Sequence, residues 1–134
     1  MDIGIDFGST YSLITTFDKK SQTLIELKPA KDVAVTPSSV SIKKSNKNDV
    51  QFGIDAKKAV HKTGFRHFSG FKMMLVEKDH QKLKESGYDD QYSPQYITSL
   101  FLKKMLNGIL LNKSQNGNEF SIAAGYDNVC ICVP

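Results

Sequence analysis

The chain has 134 residues, 40% of them hydrophobic and 24% charged, and a formal net charge of +4. These values suit one globular domain with a hydrophobic core, or part of a larger one. The lysines are dispersed and only one arginine is present, so the sequence does not predict a nucleic-acid surface, for which clustered arginines with aromatic residues are typical. We expect neither a secretory leader nor a membrane-spanning segment, because no apolar run is long enough.

The first twelve residues predict a strand that enters a tight turn and continues as a second strand. Ile3, Ile5 and Phe7 alternate with polar residues or glycine, as on a half-buried strand. Residues 13–17 are again strand formers. The two strands therefore form a hairpin around a glycine-containing turn.

This turn has two open interpretations. Asp6 ends an apolar strand, where a carboxylate is unfavourable unless something uses it. In one interpretation Gly8 lets the backbone approach a phosphate, Ser9 and Thr10 add donors, and the carboxylate faces Mg²⁺ through its water shell. In the other, the turn is an ordinary hairpin whose polar side chains satisfy turn amides. The local pattern alone does not decide between them.

A third strand completes a predicted meander. Residues 18–22 form a polar turn, and Thr23–Leu27 is rich in strand formers. Pro29 ends the strand because proline cannot donate to a sheet ladder.

Further short strands are predicted after the meander. Val40 and Ile42 alternate with serines, which indicates a half-exposed strand. Residues 43–49 are interpreted as a loop, followed by a short strand at 50–52. That loop holds the densest group of lysines, which we interpret as solvated: Lys43, Lys44 and Lys47.

A short helix is predicted at residues 53–61. Its core-facing side is expected to consist of Ile54, Ala56, Ala59 and Val60. His61 and His67 have no third ligand at a useful spacing, so they are interpreted as surface residues and not as metal ligands.

The apolar segment 65–76 carries one cation in its middle, Lys72. Such a lysine either extends along apolar surface to reach water or is delivered into a cleft. Residues 77–90 are charged and include Gly87, so we expect a mobile surface segment.

The clearest helix begins at Pro94, with Ser93 as its N-cap, and is expected to end within 112–118. Its apolar face consists of Ile97, Leu100, Phe101, Met105 and Ile109. The apolar run 129–133 predicts a buried parallel strand that returns to the opening sheet.

The two cysteines, Cys130 and Cys132, lie on this last strand. Residues two apart on a strand share a face, and this spacing is too short for an easy disulfide. We therefore predict buried free thiols, which fit a reducing, cytoplasmic location.

Several segments occur in the order of the motifs of a known family. They are I-G-I-D-F-G-S-T-Y-S at 3–12, T-P-S-S-V at 36–40, G-I-D-A at 53–56, Phe68 with K-M-M-L at 72–75, the helix opened by Ser93-Pro94, and N-V-C-I-C-V-P at 128–134. Together they resemble the start of the nucleotide-binding domain of the Hsp70 chaperones, within the actin/hexokinase/Hsp70 ATPase superfamily.

The resemblance implies an α/β fold, a ribonuclease-H-like actin-type ATPase subdomain. Its mixed sheet has an opening antiparallel meander and a packed long helix. It also implies a core sheet and helix formed by residues 1–36 and 91–134, with a smaller insertion of about 37–90.

The resemblance further implies ATP or ADP and Mg²⁺ as cofactors. Asp6 would hold the metal through water, and Lys72 would be the catalytic residue near the γ-phosphate. The phosphates would be bound by the first turn, at Gly8, Ser9, Thr10 and Tyr11. The sequence departs from the family by one extra residue after Phe68 and by Val76 in place of the usual glycine.

The implied function is that of the ATP-binding lobe of an ATP-dependent molecular chaperone, active in protein folding and stress response. Its partners would be the remainder of the nucleotide-binding domain, unfolded peptide clients and co-chaperones, with no nucleic acid and no membrane. The second phosphate motif and the adenosine-binding segment are not in this sequence, so we expect a fragment without ATPase activity of its own. The alternatives are an actin-like or sugar-kinase-like protein, or a non-catalytic Hsp70-like binding module.

Overall fold

A computed structural model describes residues 1–111, 126 and 128–132, and these form a mixed α/β structure with two sheets and a few helices. The strands are β1 Asp2–Phe7, β2 Tyr11–Asp18, β3 Thr23–Leu27, β4 Thr36–Pro37, β5 Ser39–Lys43, β6 Asn46–Phe52, β7 Phe65–Ser69 and β8 Asn128–Cys132. The helices are α1 Gly53–Ala59, α2 Phe71–Met74, α3 His80–Glu85 and α4 Pro94–Leu111.

The first sheet has the strand order β3-β2-β1-β8, and β4 pairs with the start of β2. β1, β2 and β3 form the antiparallel meander that the alternating pattern predicts, with Ile5 opposite Ile14 and Ile14 opposite Leu27. β8 runs parallel to β1, as predicted, and Ile131 is its partner for Ile5. These apolar pairs place the core on one face of the sheet.

The expected burial of β8 is wrong. Val129 is 46% exposed and Ile131 is 42% exposed, and both Cys130 and Cys132 are exposed free thiols. An apolar run predicts burial only if other elements cover it, and within the described residues β8 pairs with β1 alone.

The second sheet has the order β6-β5-β7 and is antiparallel throughout. The prediction that β5 is half-exposed is wrong. Ser39 and Ser41 are buried, and so are Val40 and Ile42. The loop expected at 43–49 is a much tighter hairpin, since β6 already begins at Asn46.

Helix α1 covers this second sheet with a narrower apolar face than expected. Ala56 and Ala59 are buried, whereas Ile54 and Val60 are exposed. The segment 77–90 is also more ordered than expected. It contains α3, capped by the Asp79 side chain, and it buries Tyr88.

Helix α4 joins the two sheets into one core. Ser93 caps it by accepting a hydrogen bond from the Tyr96 amide at 3.1 Å, as the sequence predicts. Of its expected apolar face, all but the half-buried Leu100 are fully buried: Ile97, Phe101, Met105 and Ile109. A Cβ on Gly108 would lie 2.1 Å from the Pro29 carbonyl oxygen, so glycine is needed for this close approach.

The expected helix end within 112–118 lies outside the described residues. In the described part of the chain, no helix is both long and apolar enough to span a bilayer.

Candidate functional site

The turn between β1 and β2 is compact because of Gly8. A Cβ at this position would lie 2.1 Å from the carbonyl oxygen of Tyr11, within the same turn. Real Cβ atoms do not tolerate such a contact, so the turn requires glycine whether or not a ligand binds. The sequence singles out Gly8 as the residue that would let a ligand approach the backbone. In the structure, its missing side chain is required by a contact within the turn itself.

Ser38, directly after β4, holds the turn in place through hydrogen bonds. Its hydroxyl donates a hydrogen bond of 2.7 Å to the Gly8 carbonyl oxygen and receives one of 2.8 Å from the Ser12 hydroxyl. The Ser38 amide also donates to the Thr10 carbonyl oxygen at 2.8 Å. These bonds hold the carbonyl groups of the turn on the protein side.

The other polar groups of the turn remain available. Within the described residues, the side chains of Asp6, Ser9 and Thr10 make no hydrogen bond or ion pair. The backbone N–H groups of Ser9 and Thr10 are likewise unpaired there. Successive free amides beside free hydroxyls are the donors that an anion such as a phosphate group accepts from.

Lys72 lies next to this turn. Its ammonium group donates a hydrogen bond of 2.5 Å to the carbonyl oxygen of Phe7, the residue before Gly8. The same nitrogen lies 5.5 Å from the centroid of the Phe7 ring. The structure therefore brings Lys72 to the end of β1, although 65 positions separate it from Phe7.

Aromatic packing sets the position of this lysine. Phe71, its neighbour in α2, is buried and stacks on Phe7 with ring centroids 6.1 Å apart. Phe101 of α4 packs on both rings, at 5.4 Å from Phe71 and 6.3 Å from Phe7. Because three elements share this cluster, α2 is held against β1 and Lys72 is directed to the turn.

A second cation, which the sequence reasoning missed, borders the turn. The Lys57 ammonium of α1 lies 5.3 Å from the centroid of the exposed Tyr11 ring. A lysine on the outer face of a short helix gives no local signal of this contact, because it depends on how α1 packs. Two lysines thus lie near the turn, Lys72 at Phe7 before it and Lys57 over the ring of Tyr11 after it.

In the described part of the chain, the metal-binding capacity of the site rests on one carboxylate, that of Asp6. Among the described residues, no three His, Cys, Asp or Glu side chains come together as a metal-binding group. Asp6 is exposed at the end of β1 and has no competing partner in that part of the chain. A single carboxylate fits Mg²⁺ held through water and ligand phosphates, and it does not fit a directly chelated metal.

His67 belongs to a structural hydrogen-bond group. The buried Ser41 hydroxyl donates to the Ala56 carbonyl oxygen at 2.9 Å, so the His67 Nδ1–H donates to the Ser41 oxygen at 2.8 Å. Burial lowers the pKa of His67; the neighbouring Ala56 carbonyl group raises it, and the positive charge of Lys57 lowers it. Because the Ser41 hydroxyl already donates its proton to the Ala56 carbonyl oxygen, Ser41 and His67 do not form a pair of nucleophile and general base.

No family model matches the chain, and no curated protein is significantly similar to it in sequence.

Proposed function

We propose that this chain is the ATP-binding lobe of an Hsp70-like, ATP-dependent molecular chaperone with a ribonuclease-H-like actin-type ATPase fold. The observation that carries the proposal is the contact between the Lys72 ammonium and the Phe7 carbonyl oxygen. The resemblance implies that one lysine and one glycine turn, distant in sequence, act on the same phosphate. The proximity of Lys72 to the turn supports that implication, because the local sequence around neither of them requires the contact.

The roles of the residues follow from their free groups. The amides and hydroxyls of Ser9 and Thr10 would bind the phosphates, and Asp6 would orient the water shell of Mg²⁺. When bound, Mg²⁺ would supply charge neutralisation for the polyphosphate. Lys72 would add a fixed positive charge beside the phosphate that is transferred, because phosphoryl transfer depends mainly on positioning and charge stabilisation.

The cellular context is part of the same proposal. ATP binding and hydrolysis would control closure of the nucleotide-binding domain and thereby the affinity for unfolded peptide clients. The partners would be the remainder of that domain and co-chaperones, in the cytoplasm, without nucleic acid or membrane.

Amide chemical shifts measured by NMR during titration with Mg-ADP test this proposal. We expect weak binding, with shifts concentrated at the backbone amides of Gly8, Ser9, Thr10 and Lys72. Mg²⁺ with AMP, which lacks the β-phosphate, should leave these signals in place. Unchanged chemical shifts of the turn amides at millimolar Mg-ADP, or shifts confined to another surface, would refute the assignment.

A further inference from the structure

A second concave surface, separate from the turn, is strongly cationic. A cleft of about 510 Å³ lies between the β5–β6 hairpin, β7 and the residues before α4. Lys43, Lys44 and Lys47 line it from the hairpin, and Arg66 lines it from β7; among the described residues, no Asp or Glu lines it. We call this surface the basic cleft. The volume lies within the range of roughly 300–1,000 Å³ that is typical of ligand sites.

The described residues leave the charges of the three lysines uncompensated. All three side chains are exposed, and within the described residues none of their ammonium groups has a hydrogen bond or ion pair. The hairpin that carries them is fixed by its backbone, since the Lys44 amide donates to the Gly64 carbonyl oxygen at 2.8 Å. Three like charges on one tight hairpin repel each other, so an anionic ligand would relieve that repulsion.

The opposite wall of the basic cleft is preassembled. The Arg66 guanidinium lies 4.9 Å from the ring centroid of Tyr92 and 5.1 Å from that of Phe68. It donates to the Asp89 carboxylate at 2.9 Å and also to the Gly87 carbonyl oxygen. The hydrogen bonds to the Tyr92 amide and to Arg66 lower the pKa of Asp89, which keeps this ion pair charged. Arg66 therefore shapes the wall while its own charge is already balanced.

We propose that the basic cleft binds an acidic peptide segment of a partner protein, whose carboxylates pair with Lys43, Lys44 and Lys47. Three separate ammonium groups on flexible stems suit a row of carboxylates, whereas tight binding of a single phosphate favours the planar fork of a free arginine. The one arginine in the described lining, Arg66, already pairs its charge with Asp89 and donates from its other terminal nitrogen to Gly87. The described lining also offers no open stacking platform for a base, since the guanidinium covers Tyr92. This inference does not depend on the proposed nucleotide site.

The proposal is tested by fluorescence anisotropy of a labelled peptide that is titrated with the full chain. The peptide consists of glutamate and glycine and contains one leucine. The matched peptide has glutamine in place of every glutamate. The cleft variant is Lys43→Gln/Lys44→Gln/Lys47→Gln. The control variant, Lys19→Gln/Lys20→Gln/Lys31→Gln, removes the same charge from exposed lysines outside the cleft.

We expect the glutamate peptide to bind the wild type and the control variant equally, and the glutamine peptide to bind neither. The cleft variant should bind the glutamate peptide about tenfold more weakly or worse, because it loses three ion pairs that each contribute modestly. Equal weakening by both triple variants would overturn the proposal, since net charge alone would then explain binding. Tighter cleft-dependent binding of single-stranded RNA than of the acidic peptide would also overturn it.

Discussion

Lys72 and Phe7 meet through a hydrogen bond from the lysine ammonium to the phenylalanine carbonyl oxygen, across 65 positions of sequence. A lysine that served only to solvate an apolar helix would extend toward water. Here the ammonium group is directed to the backbone at the end of β1, between Asp6 and Gly8. The contact makes Lys72 the most direct test of the proposed chemistry.

We expect Lys72→Ala to leave nucleotide binding largely intact and nearly to abolish hydrolysis in the ATPase that we propose to contain this chain. The charge near the transferred phosphate is lost, whereas the turn amides remain. Single-turnover hydrolysis and ADP titration measure the two effects separately. Lys78→Ala, which removes an exposed lysine from the same region, is the control. Unchanged turnover in Lys72→Ala would make the lysine structural.

The turn itself should not tolerate a side chain at Gly8. Because the added Cβ would meet the Tyr11 carbonyl oxygen at 2.1 Å, we expect Gly8→Ala to destabilise the protein by about 1–3 kcal/mol. In Gly4→Ala the new Cβ would lie 3.4 Å from the Thr15 Oγ1 atom, an ordinary contact, so its effect should be small. Urea denaturation compares the two variants, and equal stability would contradict the geometry of the turn.

The hydroxyls of Ser12 and Ser38 should act as one unit. Ser38→Ala leaves the Gly8 carbonyl oxygen and the Ser12 hydroxyl without their partner, which costs about 1–3 kcal/mol for a buried polar group. We expect the double variant Ser12→Ala/Ser38→Ala to lose less than the sum of the single variants. Free energies of unfolding in a double-mutant cycle measure this coupling. Strict additivity would show that the bond between the two hydroxyls contributes nothing.

Stability should fall in mild acid because of His67. Its pKa in the folded protein is lowered from 6.5, mainly by burial. Above that value the imidazole is neutral in both states; below it the unfolded chain binds a proton first, so unfolding is favoured as the pH falls. Urea denaturation between roughly pH 5 and 8 measures the loss. His67→Gln should flatten this dependence, and His61→Gln, which alters an exposed histidine, should preserve it.

The elements governed by a repeating pattern could be predicted from the sequence. Ile3, Ile5 and Phe7 are buried as their alternation indicates, and Ser93 caps α4. These features depend on local geometry and on one apolar face, both of which are visible in a short window.

The features that could not be predicted depend on contacts with residues that are distant in the sequence. Ser41 was expected to face water, but hydrogen bonds to Ala56 and His67 make its burial favourable. Lys57 looks like any surface lysine until α1 is placed beside Tyr11. Of the candidate site, the turn could be predicted from its pattern, and the resemblance pointed to Lys72. The hydrogen bonds of Ser12 and Ser38 and the second cation, Lys57, could not be predicted.

The pairing of β8 with β1 has a consequence for the order of folding. The Asn128 side chain donates to the Asp2 carboxylate at 2.8 Å across 126 positions, whereas each hairpin of the two sheets closes a short loop. Contacts between distant residues form late, because a long loop must first be closed. We therefore expect the meander and the β5–β6 hairpin to assemble first and β8 to join β1 last. When the folded chain opens locally, β8 should detach before any other strand of its sheet.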